Sequence, residues 1–122
     1  MIGYVTLGTN DLKRAAGFYD ALLAEIGAKR MMEGDGFIAW SVKPDLPGLG
    51  LTQPFDKQAA TVGNGVMVAL VVDSEAKVKT VHAKALQLGG KDEGAPGKRS
   101  ENFYAGYFRD LDGNKLNVFV GG

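Results

Sequence analysis

The stretch Tyr4–Asp11 reads YVTLGTND, and Met67–Ser74 reads MVALVVDS. Laid over each other 63 residues apart, they bring Leu7 onto Leu70. The same offset carries Leu23 onto Leu86 and Gly27 onto Gly90. Each stretch opens as a strand-like run and ends on oxygen-bearing side chains suited to capping a helix. These are Thr9, Asn10 and Asp11 in the first, and Asp73 or Ser74 in the second. A helical period follows in both. Leu12, Ala15, Ala16, Tyr19, Leu22, Leu23 and Ile26 form one apolar stripe, and Val78, Val81, His82, Ala85 and Leu86 form the other. Gly27 and the Gly89–Gly90 pair stand where a helix end favours left-handed backbone.

Strands fill the remainder of each unit. Lys29–Glu33 and Phe37–Lys43 flank a Gly34-Asp35-Gly36 turn, and Gly48–Pro54 follows a Pro- and Gly-punctuated break. Residues 55–65 show no period and read as a linker. Val66–Val72 is nearly all apolar, which predicts a strand buried on both faces. Residues 91–102 are polar and glycine-rich, fitting an irregular strand or a mobile loop. Phe103–Arg109 and Lys115–Val120 are the last strands, joined by a turn at Asp110–Asn114. Leu49-Gly50-Leu51 lies over Leu116-Asn117-Val118, 67 residues on.

The expected fold is therefore α+β, a single domain over 1–122 made of two βαβββ modules, 1–54 and 66–122, with the linker at 55–65. A unit of about 60 residues is marginal alone. The modules are expected to pair, with mixed sheets curved around a cleft and one helix per module on the outer face.

Composition narrows the function. The chain has 122 residues, 45% hydrophobic and 23% charged, with 14 basic and 14 acidic side chains and no net charge. Nucleic-acid binding calls for a basic excess, and there is none. Cysteine is absent, which removes disulfides, thiolate metal sites and cysteine nucleophiles. The start lacks the pattern of a secretory leader, and no apolar run reaches the roughly 18 residues of a membrane span. The expectation is a soluble cytoplasmic protein with no membrane partner. One histidine, His82, excludes any imidazole cluster within the chain.

VTLGTNDLKRAAGFY, from Val5 to Tyr19, resembles the first strand and helix of the vicinal oxygen chelate superfamily. That group holds glyoxalase I, bleomycin-resistance proteins and extradiol dioxygenases. FRDLDGNKLNVF, from Phe108 to Phe119, is similar to the family's closing hairpin, with Leu111 where proline is usual. The resemblance implies paired βαβββ modules and a homodimer. In metal-dependent members, four equivalent strand positions supply histidines and glutamates. Here those positions fall on Tyr4, Gly50, Met67 and Asn117. None offers imidazole or carboxylate, so no metal and no other cofactor is expected. The ordinary glyoxalase and dioxygenase chemistries are disfavoured, because Asn117 stands where the lyase keeps its base.

What the resemblance leaves is a cleft. Strand parity places Tyr4, Thr6, Thr52, Met67, Ala69, Lys115, Asn117 and Phe119 on its face, with Tyr107 added from the family pattern. Trp40, Phe37, Phe55, Phe103 and Tyr104 are candidate walls or rim, and Lys98 and Arg99 could meet an anionic group. Such a lining suits a small aromatic or partly apolar organic molecule, bound or sequestered. The cationic drug bleomycin fits a charge-balanced chain poorly. The alternative is a lyase or isomerase of the lactoylglutathione-lyase type. It would use Tyr4 or Tyr107 as proton donor beside Lys115 or Arg109, or a non-standard metal site. A third reading is a closed core with only a structural role.

Other features read as structural. His82 sits on a helix stripe that covers a sheet. Asp110 and Asp112 flank a turn without the later glutamate of a calcium loop. Gly63-x-Gly65 is too short for a nucleotide fingerprint, and no serine elbow is present.

Overall fold

Asp11 starts the first helix: its side chain accepts the Arg14 N–H at 3.1 Å. Ser74 does the same for the second, accepting from Lys77 N–H at 3.1 Å. In the computed structural model, which describes residues 1–121, the chain divides into two compact units, Met1–Val62 and Gly63–Gly122. The first contains β1 (Tyr4–Gly8), α1 (Leu12–Ala24), β2 (Lys29–Gly34), β3 (Phe37–Ser41) and β4 (Gly48–Thr52). The second contains β5 (Val68–Val71), α2 (Glu75–Gln87), β6 (Lys91–Ser100), β7 (Phe103–Arg109) and β8 (Lys115–Gly121).

Each unit is βαβββ, and the class is α+β. The sheets are ordered β1-β4-β3-β2 and β5-β8-β7-β6. Both are mixed. The first strand runs parallel to the last, Tyr4 opposite Gly48 and Val68 opposite Leu116, and the other pairings are antiparallel. A parallel pair needs a long crossover, and α1 and α2 supply it.

The cores lie beneath the helices. Leu22, Leu23 and Tyr19 of α1 cover Leu49, Leu51, Ile38 and Trp40, all buried. Val78, Val81 and Ala85 of α2 are likewise sealed, with Phe108, Leu116 and Val118 below. Leu86, the counterpart of the buried Leu23, remains 36% exposed. The two helices have the same bounds at the 63-residue offset, but the turn that leaves α2 is one residue shorter than the one that leaves α1. Ala28 N–H closes onto the Leu23 carbonyl in the first unit, and Gly90 N–H onto Ala85 in the second. The counterpart of Gly27 (φ 81°) is thus Gly89 (φ 102°), not Gly90.

β5 also departs from expectation. It is shorter than 66–72 and is an edge strand, and of its four residues only Leu70 is buried. Val71 is 67% exposed. β6 is a strand broken by register shifts after Asp92, Gly94 and Lys98.

One polar contact fixes α1 to its sheet. Asp20 accepts the Trp40 indole N–H at 2.9 Å and two bonds from the Arg30 guanidinium at 2.9 and 2.7 Å. The ion pair is part-exposed and contributes under about 1 kcal/mol. The indole is 1% exposed, so its N–H is costly to strand. Asp20→Ala should cost about 1–3 kcal/mol in urea unfolding, and adding Trp40→Phe should recover part of it. The Arg30 hydrogen bonds hold the Asp20 carboxyl below its ordinary value. Its ionised form is therefore the one the fold favours. That advantage is complete above the unfolded carboxylate value, about 3.9, and is lost as pH falls through the lower folded one. The gap between wild type and Asp20→Ala should be flat from about pH 5 to 7 and shrink below about pH 4.

Candidate functional site

Residues opposite each other on a ladder point to one face. On that basis Tyr4, Thr6, Gly48, Gly50, Thr52, Phe37 and Ala39 share the face of the first sheet that α1 leaves uncovered. Tyr4 is 65% exposed and meets Phe37 edge-on at 6.4 Å. A Cβ at Gly50 would lie 2.8 Å from Cε1 of Phe37, so the missing side chain is what lets that ring lie down.

Beside them is an apolar hollow of about 210 Å³ whose rim includes Met31, Met32 and Leu46. The sequence reading missed these three. Consecutive methionines on a regular strand face opposite ways, but a register shift between Arg30 and Met32 brings both to the hollow. A larger hollow of about 640 Å³ lies past the ends of β1 and β4, lined by Thr9, Asn10, Thr52, Gln53 and the fully exposed Phe55 among others. It is the more polar and open of the two; of the predicted face residues it takes in only Thr52, and of the predicted wall residues Phe37 and Phe55.

In the second unit the face away from α2 carries Lys115, Asn117, Phe119 and Ala69, which parity had grouped, together with Tyr107, which the family pattern had added. Met67 precedes β5 and is 41% exposed. Phe119 stacks on Phe103 at 5.3 Å. Two cations lie over the Tyr107 ring, Arg99 at 5.2 Å and Lys115 at 5.6 Å from its centroid. Asn117 is 1% exposed, and its Oδ1 has no hydrogen-bond partner.

Two of the predicted wall residues sit elsewhere. Trp40 points under α1, 5.9 Å from Tyr19, because it is out of phase with Phe37 and Ala39. Tyr104 shares the α2 side with Gly106, where an added Cβ would lie 3.0 Å from His82. Lys98 is opposite Tyr104 and lines a separate hollow of about 270 Å³.

His82 is 5% exposed, with Nε2 3.1 Å from both Asp92 Oδ1 and the Tyr107 carbonyl. Both neighbours accept, so Nε2 carries the hydrogen. The Gly94 N–H, with help from His82, holds the Asp92 carboxyl below its usual range. His82 therefore ties α2 to β6 and β7. The Asp110 side chain is engaged by its own turn, accepting from Asp112 N–H, Asn114 N–H and the Asn114 amide.

The donor set does not fit a transition metal. Among the described residues no three His, Cys, Asp or Glu side chains gather. At Gly50 there is no donor, and the Phe37 ring occupies the space a carboxylate would need.

The fold and these motifs define a family. The chain belongs to the Glyoxalase/Bleomycin resistance protein/Dioxygenase superfamily, whose family model matches residues 1–118. It is similar to a glyoxalase/bleomycin resistance protein from Albidiferax ferrireducens T118, at 31% identity and TM-score 0.89, over 98% of this chain and 97% of that one. A glyoxalase/bleomycin resistance protein/dioxygenase family enzyme from Burkholderia phytofirmans PsJN shares the fold at 17% identity and TM-score 0.77, over 96% and 95% of the chains. Fosfomycin resistance protein FosX from Mesorhizobium loti does so at 14% identity and TM-score 0.70, over 100% and 92%. No curated protein matches the sequence. Among the described residues, no helix is long and apolar enough to cross a membrane.

Proposed function

We propose that this chain binds or sequesters a small aromatic or partly apolar organic molecule, without a metal, on the sheet faces its helices leave open. The observation that supports this most is the apolar surface that the exposed Tyr4, Met31 and Met32 form with the half-buried Phe37 around the 210 Å³ hollow. Exposed contiguous apolar surface on a soluble fold marks a binding surface. A flat ligand gains edge and face contacts with Tyr4 and Phe37, and the methionine side chains adapt to its outline.

Methyl-labelled methionines report directly on this surface. A screen of aromatic compounds should shift Met31 and Met32 resonances, and metal analysis of untagged protein should find well under one transition metal per chain. About one metal per chain would replace this reading with a metal-dependent one.

A second reading, a glyoxalase-type lyase or isomerase, draws support from Lys115 lying over Tyr107, the cation–tyrosine pair such acid–base chemistry needs. Turnover that falls with Tyr107→Phe would favour it. The same exposed methionines also suit pairing with a second copy, which light scattering of wild type against Met31→Lys/Met32→Lys would detect.

A further inference from the structure

We infer that the open face of the second unit holds an anion-and-donor subsite, built from Arg99, Lys115 and Asn117 around Tyr107. Its ligands are aromatic carboxylates that also carry a hydroxyl or N–H. The inference rests on reading the open faces as ligand surfaces, and it names the ligand chemistry of one of them.

Three observations converge. The first is Asn117 Oδ1, a buried acceptor with nothing to accept from. A buried carbonyl oxygen without a partner costs about 1–3 kcal/mol. Nearest on its own face are Ala69 and Tyr107 across the ladders, with Lys115 and Phe119 two positions away along β8. None of these donates to it, and a ligand O–H or N–H would.

The second is the pair of cations on one ring. Two positive charges drawn to the same tyrosine repel each other, and a bound anion between or beside them reverses that cost. Among the described residues neither pairs with a carboxylate, whereas Arg30 and Arg109 do, with Asp20 and Glu33 and with Glu93.

The third is that Arg99 is held in place. Its guanidinium donates to the Gly97 and Ala95 carbonyls, both at 2.8 Å. Gly94 lies opposite Tyr107, and a Cβ there would come 3.1 Å from the guanidinium and 3.2 Å from the ring. The absent side chain leaves room for the stack. A fixed guanidinium is preorganised for a planar carboxylate. The neighbouring Phe103–Phe119 stack offers a ring an apolar wall. Asn117 is 1% exposed, so the proposed ligand reaches its Oδ1 only by displacing neighbouring atoms.

The test uses the full chain and five probes: 2-, 3- and 4-hydroxybenzoate, benzoate and phenol. Calorimetry gives the affinities, and NMR assigns the site through the Tyr107 ring and Asn117 amide. The best-fitting hydroxybenzoate should bind about tenfold more tightly than benzoate and than phenol, about 1.4 kcal/mol for each missing contact. Asn117→Leu should erase the advantage over benzoate and leave benzoate itself unchanged. It removes an unpaired polar atom, so it should melt no lower than wild type. Arg99→Gln/Lys115→Gln should weaken all carboxylates at least tenfold and leave phenol unchanged. Equal binding of benzoate and every hydroxybenzoate, or carboxylate binding untouched by the double variant, overturns the inference. If aromatic compounds bind at Met31 and Met32 while no carboxylate reaches Tyr107, this subsite falls and the broader reading stands. If nothing binds either face, both fall.

Discussion

Truncating Phe108 to alanine should remove about 3–5 kcal/mol of stability, enough to threaten folding of a small protein. The ring is fully buried on the α2 side of β7 and meets the His82 ring edge-on, centroids 6.4 Å apart. Val78 and Val81 above it, and Leu116 and Val118 beside it, are at 0% exposure, so no side chain stands at the surface ready to slide in. The loss then combines the removed apolar contact with a void that packed neighbours close only in part. In urea the midpoint should fall by roughly 1 M or more for a slope of about 1–3 kcal/mol per M. Phe108→Leu, which keeps most of the volume, should cost no more than about 1.5 kcal/mol. A Phe108→Ala protein within 1 kcal/mol of wild type would mean that this core can collapse, contrary to the packing described.

Gly90→Ala should destabilise by about 3 kcal/mol for a different reason. A Cβ there would lie 2.7 Å from the Arg109 carbonyl oxygen and 2.8 Å from that of Ala85. Both are backbone atoms, so no rotamer change relieves the clash. The Ala85 oxygen is also the one that accepts Gly90 N–H to finish α2. Gly27→Ala is the matched control: φ is 81° there, but a Cβ would meet nothing within 4 Å. It should cost only the left-handed penalty, about 1–2 kcal/mol. If thermal melts rank Gly90→Ala level with Gly27→Ala, the close approach of β7 to the end of α2 is wrong.

The repeat was readable because it is written in two independent codes. Cap residues and apolar spacing mark α1 and α2, and alternation marks the sheet faces, so Tyr4, Thr6, Thr52, Lys115, Asn117 and Phe119 all fall on the face that parity assigns. The misreadings arose where apolarity alone had to decide. A run such as Val66–Val72 looks buried on both sides, yet its sheet position is an edge, which no local pattern records. Trp40 looks like a ligand wall, but aromatic bulk does not say which face it takes; pairing with Leu49, out of phase with Phe37, settles it. Bulges hide more. Alternation fails across the shift at Arg30–Met32 and across the three in β6, which are the places that deliver Met31, Met32 and Arg99 to their faces. Arg99 could be suspected of meeting an anion from its charge, but its seat on Tyr107 depends on glycines whose meaning appears only in three dimensions.

The parallel pairing of first strand with last also has a consequence for how the chain is made. Tyr4 waits for Gly48 and Val68 for Leu116, so each opening strand leaves the ribosome long before its neighbour exists. At roughly 5–20 residues per second that is an interval of seconds, during which β1 has a bare hydrogen-bonding edge. The antiparallel strands β2, β3 and β4 are close in sequence and can zip together as they emerge, whereas docking of the opening strand and its helix must close a long loop. Within each unit, then, the expected order of assembly departs from the order of synthesis: the opening strand is made before its sheet neighbours and is seated after them.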